Sequence, residues 1–131
     1  MIHMQQNLVD FHEYNITYEV GNADVMEAVQ KVSALEPFDE MVVDFLNTVS
    51  KLLLADREAK LYPDVITLAF WMRRASVEEL KKRFFKECEK IYKIGRGVAF
   101  HIAPSNVPVN YAYSLVSGLL CGNSNVIRMP S

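Results

Sequence analysis

The apolar residues of this chain change period once, and the change divides it. Phe38, Met41, Val42, Phe45, Val49, Leu52 and Leu53 recur at helical spacing, which predicts a helix entered at Pro37 with one apolar face. Asp39, Glu40, Asp44, Asn47 and Lys51 take its other side, and the pattern fades in Asp56-Arg57-Glu58. A second helix is expected from Pro63, since the missing N–H of proline costs nothing in a first turn. It carries Val65, Ile66, Ala69, Phe70 and Met72, with Trp71 at its edge. Ser76-Val77-Glu78-Glu79 has the form of a capping box, so a third helix is expected to begin there, with Val77, Leu80, Phe84, Cys88 and Ile91 as its apolar positions. At Val98 the helical period gives way to a continuous apolar run ending at Ala103, broken only by His101. Such a run suits a parallel strand covered by helices on both faces.

The order that follows is loop, helix, strand. Pro104-Ser105-Asn106-Val107-Pro108 is a stiff turn, and Pro108 is well placed for the first turn of a helix reaching about Leu120. Val109, Ala112, Val116 and Leu119 form one face of that helix, and Ala112, Ser114, Ser117 and Gly118 keep its surface shallow enough to lie close on a sheet. Gly122-Asn123 ends it, and Asn125 to Met129 reads as a second strand, parallel to the first through a right-handed crossover. Both strands then end on one edge, where Arg128 and the loop from Pro104 to Asn106 flank a crevice. The first 36 residues are less regular: a strand over Asn15 to Val20, a turn at Gly21-Asn22, and a helix carrying Val25, Met26, Val29 and Val32. The fold class is α/β, with a mainly helical part over residues 1–94 leading into an opening βαβ unit over 95–131.

Composition narrows the function without naming it. Half of the 131 residues are hydrophobic and the net charge is −2, which suits one packed core and gives no general attraction for nucleic acid or an anionic membrane. The opening MIHMQQNLVDFHEYN has no apolar core of a secretory signal, and the uncharged stretch from Val98 to Ile127 is too broken by Pro, Gly, Ser and Asn for a membrane span. Cys88 and Cys121 form neither a CxxC pair nor a disulfide framework, so a cytoplasmic location is the simpler expectation. No metal-ligand pattern is present. Arg73-Arg74-Ala75-Ser76 resembles a basophilic kinase site, but the cap already gives Ser76 a task, and the basic residues from Arg73 to Lys90 are interleaved with glutamates as on a solvated face.

Candidate chemistry concentrates near the carboxyl ends of the strands. Gly95-Arg96-Gly97 is not a dinucleotide fingerprint, because it lacks the third glycine and precedes a strand instead of following one. His101 has no carboxylate or nucleophile beside it and is expected to be a core histidine with a backbone partner. Asn106 has two readings. Its amide, held at the carboxyl end of a strand where open α/β sheets place ligands, suits donation to a developing oxyanion; alternatively it hydrogen-bonds the local turn.

At these residues the chain resembles the aldehyde dehydrogenase superfamily, and more closely the bacterial acyl-CoA reductases of the luminescence type. HIAPSNVP (His101 to Pro108), Gly122-Asn123 and Arg128 carry the resemblance, which is dense over Gly95 to Ser131. It implies the first βαβ unit of a doubly wound parallel sheet, truncated here. It also implies reduction of long-chain acyl-CoA, or an acyl-protein thioester, to fatty aldehyde through a cysteine acyl-enzyme and NADPH. By the same resemblance Asn106 is the oxyanion donor, Ile102, Ala103, Pro104, Ser105 and Asn106 line the nicotinamide-ribose side, and Arg128 meets the adenosine ribose or its 2′-phosphate.

The family's cysteine lies downstream of this motif, so the chain is expected to be an inactive N-terminal portion of such a reductase. Cys121 is expected at the far end of its helix from Asn106, as a small core residue, and the helical spacing of Cys88 also points to the core. A homo-oligomer is expected. The alternative from another class is a non-catalytic helical module that oligomerises through its exposed strand edge.

Overall fold

The structure is a computed structural model that describes residues 10–87 and 91–130. These fall into two compact units dividing between Ser33 and Ala34.

In the first unit a 3-10 turn, Phe11–Glu13, precedes the short helix α1, Ala23–Val29. Asn22 caps α1, its side-chain oxygen accepting from Val25 N–H at 2.9 Å. Residues 15–20 do not form the expected strand. A strand needs a ladder, and the described part of this unit contains no second one to pair with. Cys88 falls outside the described residues.

The second unit is built on α2, Glu40–Ala55, capped by the Asp39 carboxylate on Met41 N–H. The buried face is Val42, Val43, Leu46 and Ser50, whereas Met41, Phe45 and Leu52, expected in the core, are exposed. The apolar arc of the helix covers more than half of its circumference, so its neighbours choose which part of that arc is buried. α3, Pro63–Trp71, starts at Pro63 as expected and accepts the buried Ser50 hydroxyl on Ala69 C=O at 2.6 Å. α4, Arg74–Lys86, begins three residues earlier than the capping-box pattern predicts, with Arg73 in place of Ser76 at the N-cap. Its cap is tertiary: Asn47 of α2 accepts the Arg74 N–H at 3.0 Å. The guanidinium of Arg74 bonds Asp44 and Glu40, which raises its already high pKa. Ser76, freed from capping, donates to Phe70 C=O at the end of α3.

Beyond α4 come β1, Val98–Ile102, α5, Asn110–Leu120, and β2, Ser124–Arg128. The strands are parallel, with Val98 opposite Ser124 and Ile102 opposite Arg128. α5 starts at Asn110, because Pro108 and Val109 form a turn first. One core joins Val42, Val43, Leu46, Leu68, Met72 and Val77 to Val116 and Leu120 of α5. Each such side chain is worth about 1.5–3 kcal/mol relative to exposure. The mixed helices and parallel strand pair are compatible with the α/β class. Among the described residues no helix is long and apolar enough to cross a membrane.

A strap over Leu35 to Phe38 fixes the end of α5 and both strand entries. Leu35 N–H donates to Gly122 C=O at 2.9 Å, Phe38 N–H to Leu120 C=O at 2.8 Å, and Gly95 N–H to Leu35 C=O at 3.1 Å. Phe38 takes φ +58° to do this, a strained conformation for an aromatic residue. Its buried ring, 5.4 Å from that of Phe84, helps hold it there. Glu36 of the same strap accepts from the Tyr92 hydroxyl at 2.7 Å, a bond that raises the phenol pKa.

Candidate active site at the strand carboxyl ends

The parallel ladder brings the end of β1 to the end of β2. Ala103 N–H donates to Arg128 C=O at 3.0 Å, continuing the pairing one residue past β1. Ala103 is buried, whereas Ile102 and the loop from Pro104 to Pro108 are exposed. Arg128 is exposed as the last residue of β2. The structure thus joins Ile102 and Ala103 directly to Arg128, and sets Pro104, Ser105 and Asn106 in the loop leaving that junction.

The polar side chains here are unspent. Among the described residues, Ser105, Asn106 and Arg128 make no side-chain hydrogen bond or ion pair. The loop closes without Asn106, through Asn110 N–H to Val107 C=O at 3.1 Å. An exposed amide and a guanidinium with no internal partner can donate to an anionic or carbonyl-bearing ligand without first breaking a bond.

Beneath this edge the sheet is held by a network that the sequence patterns did not single out. His101 Nε2 lies 2.8 Å from Asn125 Oδ1, and Asn125 Nδ2 donates to Asn123 C=O at 2.8 Å. With the Asn125 amide so oriented, His101 carries its proton on Nε2. The histidine is therefore engaged, as expected, but by a side chain in place of a backbone group. Asn123 in turn accepts the Arg96 N–H on its side-chain oxygen. Gly118 of α5 lies over this pair, where an added Cβ would meet Asn125 Oδ1 at 2.0 Å. The signal was a glycine inside a helix, which costs about 1 kcal/mol against alanine unless close approach requires it.

Two further expectations fail. Val98, Phe100 and Ile102 are exposed at 47%, 63% and 70%, so among the described residues that face of β1 is uncovered. Cys121, expected in the core, is an exposed free thiol at the C-terminal end of α5. The 11 residues of α5 rise about 16 Å, which separates Cys121 from the loop carrying Asn106.

A parallel strand pair with a helix between its strands is compatible with an α/β protein, a class whose open sheets place ligands at the strand carboxyl ends. Comparison with known families makes this specific: the family model described as Acyl-CoA reductase (LuxC) matches residues 28–131. The chain belongs to that family of acyl-CoA reductases. No curated protein and no solved structure matched it.

Proposed function

We propose that the chain is the N-terminal portion of an NADPH-dependent reductase that converts long-chain acyl-CoA, or an acyl-protein thioester, to fatty aldehyde. Residues 1–94 then serve as a helical leading part and 95–131 as the opening unit of an aldehyde-dehydrogenase-like, doubly wound cofactor domain. The observation that carries the reading is the pair of exposed, unpartnered groups at the strand ends, Asn106 and Arg128, in a member of this family.

The residues suit the cofactor. A guanidinium with no internal carboxylate is free for the 2′-phosphate, and its fork matches phosphate oxygens. Ile102, Ala103, Pro104, Ser105 and Asn106 offer an apolar and hydroxyl-bearing wall for the nicotinamide ribose. NADPH supplies the hydride when bound. Asn106 holds its amide N–H toward the thioester oxygen, where negative charge grows as the carbonyl is attacked. In other acyl-transfer enzymes one donor at such an oxygen lowers the barrier by about 2.7–4 kcal/mol.

The attacking thiolate is assigned, as the resemblance implies, to a cysteine other than these two, since Cys121 lies at the wrong end of α5 and the helical spacing of Cys88 points to the core. This chain alone is accordingly expected to be inactive, and the parent enzyme to work in the cytoplasm. Calorimetric titration with NADPH tests the site: the wild-type chain binds, and Arg128→Ala weakens binding at least tenfold. Equal binding by both removes Arg128 from the site. Turnover of acyl-CoA by this chain contradicts the assignment of the nucleophile.

A further inference from the structure

The first unit, Met1–Ser33, has no buried side chain among its described residues. Its helix α1 has only seven residues, and an isolated helix of that length is marginal in water. Units this small usually depend on a disulfide, a metal ion or association, and residues 1–33 contain no cysteine. They also lie almost wholly outside the stretch that matches the reductase family, which begins at residue 28.

Within this unit three carboxylates gather round one imidazole. The 3-10 turn sets His12 beside α1, where Asp24 and Glu27 share a face because they are three residues apart. His12 Nε2 lies 3.1 Å from Asp24 Oδ1 and 3.8 Å from Glu27 Oε1. Asp10 completes the group: donor atoms of Asp10, His12 and Glu27 all lie within 4.8 Å of one another. An imidazole brings at most one positive charge against the three negative ones. Among the described residues no lysine or arginine pairs with Asp10, Asp24 or Glu27. Over residues 10–33 the acidic side chains Asp10, Glu13, Glu19, Asp24 and Glu27 are balanced only by Lys31, so the surroundings add no cation.

We propose that this cluster binds one divalent transition-metal ion, with His12 Nε2 and the carboxylates of Asp10, Asp24 and Glu27 as its ligands. The imidazole selects the class of ion: nitrogen with carboxylate oxygen suits zinc and its first-row neighbours, whereas magnesium and calcium take oxygen throughout. Zinc sits about 2.1 Å from such ligands. At that distance the 3.1 and 3.8 Å separations subtend about 95° and 130° at the ion, on either side of the tetrahedral angle. Asp10, exposed on its turn, has to close by at most about 1.4 Å to reach tetrahedral spacing. The ion replaces the proton shared between His12 and Asp24, ties the turn to α1, and supplies the stability that burial does not.

The site is independent of NADPH and of the reductase reading, and its test uses neither. Calorimetric titration of the whole chain with zinc chloride alone, at about pH 7, is expected to show binding that depends on the cluster. His12→Ala and Glu27→Gln are each expected to weaken it at least tenfold, and Cys121→Ser, at the exposed thiol, to leave it unchanged. Amide hydrogen exchange locates the ion: Met26 to Val29 of α1 gain at least tenfold protection with zinc. That gain is expected to be absent in His12→Ala and absent when magnesium chloride replaces zinc. No zinc bound, zinc bound equally by His12→Ala, binding that is lost with Cys121→Ser, or equal protection by magnesium would each overturn the proposal.

Discussion

The bundle of α2, α3 and α4 and the carboxyl edge of β1 and β2 treat their polar groups in opposite ways. In the bundle each polar side chain at a contact is spent on the fold: Ser50 on Ala69, Asn47 on the start of α4, Arg74 on Asp44 and Glu40. At the edge Ser105, Asn106 and Arg128 are exposed, and their side chains bond nothing among the described residues. A polar group spent on folding is costly to remove and has little left to offer a ligand. A polar group left free contributes almost nothing to stability and can be replaced at little structural cost.

Substitutions can break this contrast, the largest effect being expected deepest in the bundle. Leu46 is 1% exposed at the centre of α2, and Leu46→Ala is expected to cost about 2–5 kcal/mol in urea unfolding, from lost burial and the cavity left behind. Gly118→Ala, which forces a Cβ into the Asn125 side chain, is expected to cost about 1–3 kcal/mol by the same measurement. Asn47→Ala strips the first turn of α4 of its tertiary cap and is expected to cost about 1 kcal/mol. Asn106→Ala and Arg128→Ala are expected to stay within about 0.5 kcal/mol of wild type. A large destabilisation by either of the last two would mean that the edge, like the bundle, is spent on the fold.

How far the sequence disclosed this arrangement depends on the kind of interaction. The strand, loop, helix, strand order from Val98 to Arg128 was legible because apolar runs, paired prolines and Gly122-Asn123 are local signals. The start of α3 at Pro63 was legible for the same reason, whereas the cap at Asp39 was not read, that residue having been placed on the polar side of the helix. Ser76 misled because its capping box competes with Asn47, which lies 27 residues from Arg74 in sequence and is brought there only by packing. The buried face of α2 misled because Met41, Phe45 and Leu52 fit the helical period as well as Val43 and Leu46 do. The strand assigned to Asn15 to Val20 had the right alternation and no partner. At the edge, the sequence indicated where Asn106 and Arg128 lie but not that their side chains are unpaired. The network of His101, Asn123 and Asn125 under Gly118 was hidden because it spans three elements.

We propose that the strand ends bind the cofactor and that the bundle is scaffold. Amide chemical-shift mapping during addition of NADPH to the isotopically labelled chain tests it most directly. Perturbations are expected at Ile102, Ala103, Ser105, Asn106 and Arg128, with the amides of Val43, Leu46 and Ser50 unmoved. Perturbations centred on α2, α3 or α4, or none anywhere at saturating NADPH, would contradict it.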